Sequence, residues 1–237
     1  VDSKEKIAYP PVALSFGEKL VKSNKIEGDL IVPIPLGTFG NLSVVTAPPK
    51  TKKTFFISLL ASCYLSGSNQ FGGDIKGHRG TEGQLVHIDT EQGLWHCQKV
   101  FERVHKMDSN INSEIYHTFG LRSIDYKMRI QFIDYYLKEK IKAPSLIIID
   151  GIADLCSDAN NISESNHLVQ KLMEWSSLYK CHIINVIHQN FGSSKLGTGH
   201  LGSFLEKKAE TVIQLEANTV NKNWVTVKCG RSRGYAF

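Results

Sequence analysis

No two cysteines of this chain stand in C-x-x-C spacing, and their number, five, is odd. Cys63, Cys97, Cys156, Cys181 and Cys229 therefore read as reduced residues of a cytoplasmic protein, three of them in apolar runs, rather than as a disulfide framework. No apolar run approaches the ~18 residues of a membrane span, and no secretory pattern opens the chain. The first residue is Val1 rather than Met, as in a trimmed or excised domain. Nine histidines are present, but no pair has zinc-ligand spacing with a second cluster, so they read as scattered surface and core residues. Internal repeats and low-complexity tracts are also missing. Charge of one sign is scarce too: 28 basic against 23 acidic residues gives a net charge of +5. That excess is compatible with nucleic acid and far short of requiring it.

What is present is enough for one sizeable α/β domain, with 237 residues of which 41% are hydrophobic. Residues 1–39 hold Pro10, Pro11, Pro33 and Pro35 among short apolar pieces and read as an N-terminal arm with little regular structure. From residue 40 onward strands alternate with helices. Strand 42–47 leads to helix 53–66, a glycine-rich stretch spans Gly67 to Gly83, and strand 85–89 leads to helix 94–106. A weaker strand at 115–119 precedes helix 124–140. The run Leu146-Ile-Ile-Ile-Asp150 is the strongest strand signal, and helix 163–179 and strand 182–188 follow. This alternation predicts a mostly parallel sheet covered on both faces. Segments 211–216 and 224–228 have no helix between them and predict an antiparallel hairpin on the sheet edge.

In open α/β sheets ligands bind beyond the carboxyl ends of the strands, and the residues at those ends carry chemistry. Ala47-Pro-Pro-Lys-Thr-Lys-Lys-Thr54 lies between a strand and a helix, where the pattern G-x-x-x-x-G-K-[ST] holds phosphates on backbone N–H groups and a helix N-terminus. Ala47 and Lys52 occupy the glycine positions, and Lys53 and Thr54 the Lys-Thr pair. Nucleotide phosphates are expected over Lys50, Thr51, Lys52, Lys53 and Thr54, with Phe55 opening the helix. Lys53 supplies a point charge and the Thr54 hydroxyl a Mg²⁺ ligand. The plain alternative is a strand–helix turn that happens to carry lysines. Lys52 must tolerate a backbone geometry that glycine adopts freely.

Asp150, closing the isoleucine run, suits a carboxylate that positions Mg²⁺, although an Asp at a strand end is also a common cap. The next residue is Gly151, so this strand supplies no catalytic base. Glu91, two residues past strand 85–89, can orient and deprotonate an attacking water, or can simply favour a helix N-terminus. Gln189 is placed to sense a γ-phosphate. The segment after it carries Gly192, Lys195, Gly197, Gly199 and His200, and residues 190–208 read as a mobile basic loop suited to DNA, single-stranded above all.

This order of motifs resembles the RecA/DnaB-type P-loop ATPases, and more narrowly the RepA-like hexameric helicase branch. Ile148-Ile-Asp-Gly-Ile-Ala-Asp-Leu155, Val186-Ile-His-Gln-Asn190, and Gly199-His-Leu-Gly-Ser203 through Lys208-Ala-Glu210 are similar to the TnpC-type ATPases of Bacteroidetes mobilizable transposons. The resemblance covers residues 38–237. It implies a RecA-like fold, ATP and Mg²⁺ as cofactors, a DNA-associated motor or loader, and assembly as a homo-oligomeric ring. It also makes Lys228-Cys-Gly-Arg-Ser-Arg-Gly234 similar to the basic fingers that helicase relatives insert into a neighbour's ATP site, with Arg231 and Arg233 as the reaching groups. An exposed basic edge strand that discourages edge pairing is the alternative for these two arginines. A DNA-binding or scaffold protein that has lost turnover through Lys52 is the competing function. No helical lid appears in the sequence, which argues against a small-molecule kinase and against the AAA+ branch.

Overall fold

The computed structural model describes residues 5–22, 29–189, 197–221, 223–234 and 236–237. Its centre is a seven-stranded sheet in the order β10-β9-β3-β8-β7-β5-β6. The parallel strands are β3 (Leu42–Ala47), β5 (Gln84–Asp89), β6 (Tyr116–Gly120), β7 (Pro144–Asp150), β8 (His182–His188) and β9 (Thr211–Ala217). The last strand, β10 (Val225–Ser232), turns back antiparallel on β9 and forms the expected edge hairpin.

Side-chain alternation in the central strands builds two separate cores. In β7, Ile147 and Ile149 face one side and Leu146 and Ile148 the other. The first side is covered by α3 (Tyr126–Glu139), α4 (Ile162–Leu178) and α5 (Gly199–Lys208), through residues such as Ile133, Leu172, Trp175 and Leu205. The second is covered by α1 (Lys53–Ser66) and α2 (Leu94–Met107), through Ile57, Leu60 and Val104. An apolar run such as Leu-Ile-Ile-Ile is what a strand buried on both faces requires. Among the described residues no helix is long and apolar enough to cross a membrane.

Two expectations are corrected. Residues 12–22 and 29–38 are not an irregular arm: β1 (Val12–Lys22) and β2 (Asp29–Thr38) form an antiparallel pair, and β4 (Ile75–Gly77), from inside the glycine-rich stretch, completes a three-stranded sheet in the order β2-β1-β4. Pro33 and Pro35 are tolerated because β2 is an edge strand, where a missing N–H costs no ladder bond. This small sheet covers α1, with Ala13, Leu14 and Leu36 entering the second core. Gly77 permits the approach, since a Cβ there would lie 2.0 Å from the Cys63 carbonyl oxygen of α1.

The second correction concerns the glycine-rich segment after β8. Residues 199–208 are helix α5 rather than loop, with Leu201 and Leu205 buried one turn apart. Gly199, at φ +69°, serves the helix start rather than a flexible loop. The predicted loop residues Asn190, Gly192 and Lys195 lie outside the described residues.

Candidate active site at the phosphate loop

The phosphate loop leaves β3 at Ala47 and enters α1 at Lys53. Lys50 and Lys52 both adopt left-handed backbone, at φ 64° and 56°. Thr51 stabilises the bend between them by donating its hydroxyl to the Pro48 carbonyl at 2.7 Å. Lys52 thus has the conformation for which the common pattern uses glycine. Its side chain does not crowd the cleft: the Nζ donates to the Asn223 carbonyl at 3.1 Å and to the Asn223 Oδ1 at 3.4 Å, at the turn of the β9–β10 hairpin. Among the described residues no side chain caps the start of α1, and beside it lies an open cleft of about 330 Å³ lined by Pro48, residues 50–55 and His188, so its first N–H groups are left for a ligand.

A left-handed non-glycine residue costs about 1 kcal/mol, and the contacts of Lys52 to Asn223 are exposed. Lys52→Gly is therefore expected to raise stability by roughly 0.5 kcal/mol, after allowing for the greater freedom of glycine in the unfolded chain. The measurement is the denaturant midpoint at unchanged slope. A lower midpoint would show that the hairpin contact outweighs the backbone strain.

Lys53 occupies the centre of the site. Its Nζ lies 3.6 Å from Glu91 Oε1, 3.6 Å from Asp150 Oδ1 and 3.4 Å from His188 Nε2. β3, β5, β7 and β8 are neighbours in the sheet, so residues distant in sequence converge at their carboxyl ends. Asp150 is buried, and neither carboxylate oxygen has a hydrogen-bond partner among the described residues. Burial pushes its carboxyl up to about 6, reinforced by the Glu91 and Asp89 charges, while the Lys53 ammonium pulls it down. A buried carboxylate without a hydrogen-bond partner, 3.6 Å from the ammonium of Lys53, the residue before Thr54, suits a divalent cation, which would remove that penalty. The residues present therefore fit Mg²⁺ held by Asp150 and Thr54.

Glu91 is held differently. Burial drives its carboxyl up, but the His188 hydrogen bond and the Lys53 charge outweigh that, so it lies below its ordinary range and stays ionised. Its backbone is fixed by Asp89, whose carboxylate accepts from the Glu91 and Gln92 N–H groups at 3.0 and 2.8 Å. Asp89 is thus a turn cap. Gly151, at φ +98°, leaves room for this turn, since a Cβ would come within 2.3 Å of Thr90 Oγ1 and 2.6 Å of Glu91 Cγ.

The remaining expected residues are placed less directly. Phe55 is half exposed, and the Arg103 guanidinium of α2 sits 3.7 Å from its ring centre. The Gln189 amide donates to Thr46 Oγ1 at 3.3 Å, which turns it toward β3. Arg231 is exposed on β10, in register with Val212 of β9, which pairs with Val44. Arg233 lies past the end of β10. Its guanidinium donates to the Lys207 and Lys208 carbonyls at 3.1 and 3.2 Å, closing the C-terminus of α5. Two further residues of the site were given no role from the sequence: His188, although it stands in the motif Val186-Ile-His-Gln-Asn190 at a strand end, and Arg103, an ordinary surface-spaced arginine on α2.

A family model described as an AAA domain matches residues 34–193, the stretch that holds the phosphate loop, Glu91, Asp150 and Gln189. No curated protein is similar in sequence at a significant level. Among solved structures, the crystal structure of the RadB recombinase is similar, with a TM-score of 0.55 and 16% identity over 83% of this chain and 84% of that one. At that identity the likeness concerns the fold, which is RecA-like as the order of motifs implied. The edge hairpin in place of a helical lid gave no ground for setting the chain apart from the AAA group. Its phosphate loop, its sheet and the matched stretch agree: the chain belongs to the AAA domain family and carries a P-loop ATPase domain.

Proposed function

We propose that this protein binds and hydrolyses ATP as a DNA-associated motor or loader of a mobile genetic element, in the RepA-like, TnpC-type branch, and works as a ring of identical chains. The observation that carries the proposal is the convergence of Glu91 and Asp150, from the ends of the adjacent strands β5 and β7, on Lys53, each 3.6 Å from its ammonium. Lys53 neutralises charge on the β- and γ-phosphates, and the N–H groups of the phosphate loop and of the first turn of α1 orient them. Thr54 and Asp150 would hold Mg²⁺, which would supply further charge neutralisation. Glu91, kept ionised, accepts the proton of an attacking water or orients that water. Gln189 leaves Thr46 to meet the γ-phosphate. Arg231 reaches the site of a neighbouring chain.

DNA binding is supported by the motif order, the positive net charge and the basic end of α5, where Lys207 and Lys208 occupy the last turn. The competing reading, a scaffold that has lost turnover through Lys52, is weakened by the direction of that side chain, away from the cleft and onto Asn223. Steady-state ATP turnover with and without single-stranded DNA decides between them. Turnover that rises several-fold with DNA is expected. Nucleotide binding without turnover in either condition would favour the scaffold, and turnover indifferent to DNA would remove the DNA role.

A further inference from the structure

We propose that His188 is a positioning residue for Glu91: its Nε2, within reach of both Glu91 and Lys53, serves Glu91 already in the ATP-free protein, and phosphate binding tightens that contact by drawing the competing Lys53 away. This rests on the ATPase reading above, because it concerns the carboxylate assigned to water activation.

The geometry is specific. His188 Nε2 lies 3.4 Å from Glu91 Oε2 and 3.4 Å from Lys53 Nζ. A carboxylate only accepts and an ammonium only donates, whereas an imidazole nitrogen does one or the other according to its proton. The two contacts therefore exclude each other. With the proton on Nε2, His188 donates to Glu91 and offers Lys53 nothing. With the proton on Nδ1, Nε2 accepts from Lys53 and presents its lone pair to the Glu91 carboxylate.

Burial decides between these forms. His188 Nδ1 is buried and has no hydrogen-bond partner among the described residues. A proton there would be a buried donor without an acceptor, and buried N–H groups are left orphaned less often than acceptors, while Lys53 already has the Glu91 and Asp150 carboxylates for its protons. The Nε2-protonated form is therefore preferred, and with it the bond to Glu91. Both distances are at the long limit, as catalytic hydrogen bonds often are before substrate binds. When phosphate draws the Lys53 ammonium forward, the competitor for Nε2 leaves and the contact to Glu91 can shorten. The main chain of His188 does not follow, because its carbonyl accepts from the Thr198 N–H at 2.9 Å and the Thr198 hydroxyl at 2.8 Å. Only the imidazole and the carboxylate adjust.

The two nitrogens can be told apart by substitution. A glutamine amide places its N–H near the Nε2 position, and an asparagine amide places it near Nδ1. His188→Gln should keep most of kcat, while His188→Asn should lower kcat about 10-fold or more with the ATP dissociation constant changed by less than about 3-fold. A glutamine variant as slow as the asparagine variant, or a loss carried by ATP affinity, would overturn the proposal. A second readout does not depend on turnover. Long-range ¹⁵N–¹H correlation spectra of the ATP-free protein, with the His188 signals identified by their loss in His188→Gln, should show Nε2 protonated and should shift in Glu91→Gln. An Nδ1-protonated imidazole, or signals indifferent to Glu91→Gln, would also overturn it. Absent turnover in the unmodified protein would instead count against the ATPase reading, and the spectra would still decide what His188 holds.

Discussion

Arg231→Ala is expected to lower ATP turnover by about 10³-fold, the scale on which a guanidinium supplied to a phosphoryl-transfer site acts. The arginine cannot serve its own chain. β10 descends from the phosphate-loop end of the sheet, and by the time it reaches Arg231 it is level with Val44 of β3. The loop lies roughly 13 Å further along the strand direction and two strand spacings across. In the proposed ring, the group would therefore act on a neighbour. Mixing Arg231→Ala chains with Lys53→Ala chains should restore turnover, because each supplies the half that the other lacks. Arg231 alone is the better probe, since removing Arg233 would also strip the cap from α5. If the mixture stays inactive while turnover per chain is independent of concentration, the protein works as a monomer and the ring is wrong.

Glu91→Gln should lower turnover by about 10²-fold or more and leave ATP binding intact. Glutamine keeps the shape and can still meet the His188 imidazole, but it accepts no proton and carries no charge. The separation of effects follows from the site. Affinity depends on Lys53 and the loop N–H groups, while Glu91 matters at the water. Because Glu91 balances part of the Lys53 charge, the variant should bind ATP at least as tightly as the unmodified protein. A fluorescent-nucleotide titration beside steady-state kinetics provides the check. Unchanged turnover would place the base elsewhere.

Much of this architecture was legible in the chain because buried parallel strands need continuous apolar runs and because ligand chemistry gathers at their ends. Leu146 to Asp150 told both things at once: a strand covered on two faces and a carboxylate at its tip. The start of α1 at Lys53 was also legible, since the Lys-Thr pair and the apolar run after it mark a strand–helix turn. The hairpin β1–β2 was not, because Pro33 and Pro35 resemble loop punctuation until the strand is known to lie on an edge. Helix α5 was hidden by Gly197, Gly199 and Gly202, which outweighed the short Leu201–Leu205 repeat. His188 is a different case. Its importance comes from three strands converging, and no local spacing encodes that. Arg233 likewise looked free on paper, because the carbonyls it closes belong to an element not visible there.

The placement of α1 between two sheets makes the protein mechanically lopsided. α1 is buried along nearly its whole length, clamped by the central strands on one side and by β1, β4 and the tight Gly77 approach on the other. The half of the nucleotide cleft built on β3 and α1 therefore acts as an anvil. In the proposed motor, movement is expected in the opposing half, at the tips of β5 and β8, where Glu91 and His188 lie and the His188 carbonyl meets Thr198 before α5. Force generated in such a domain would leave it through α5 and the hairpin beside it, and a load applied there would be felt first as a change in the rate of hydrolysis rather than in the grip on ATP.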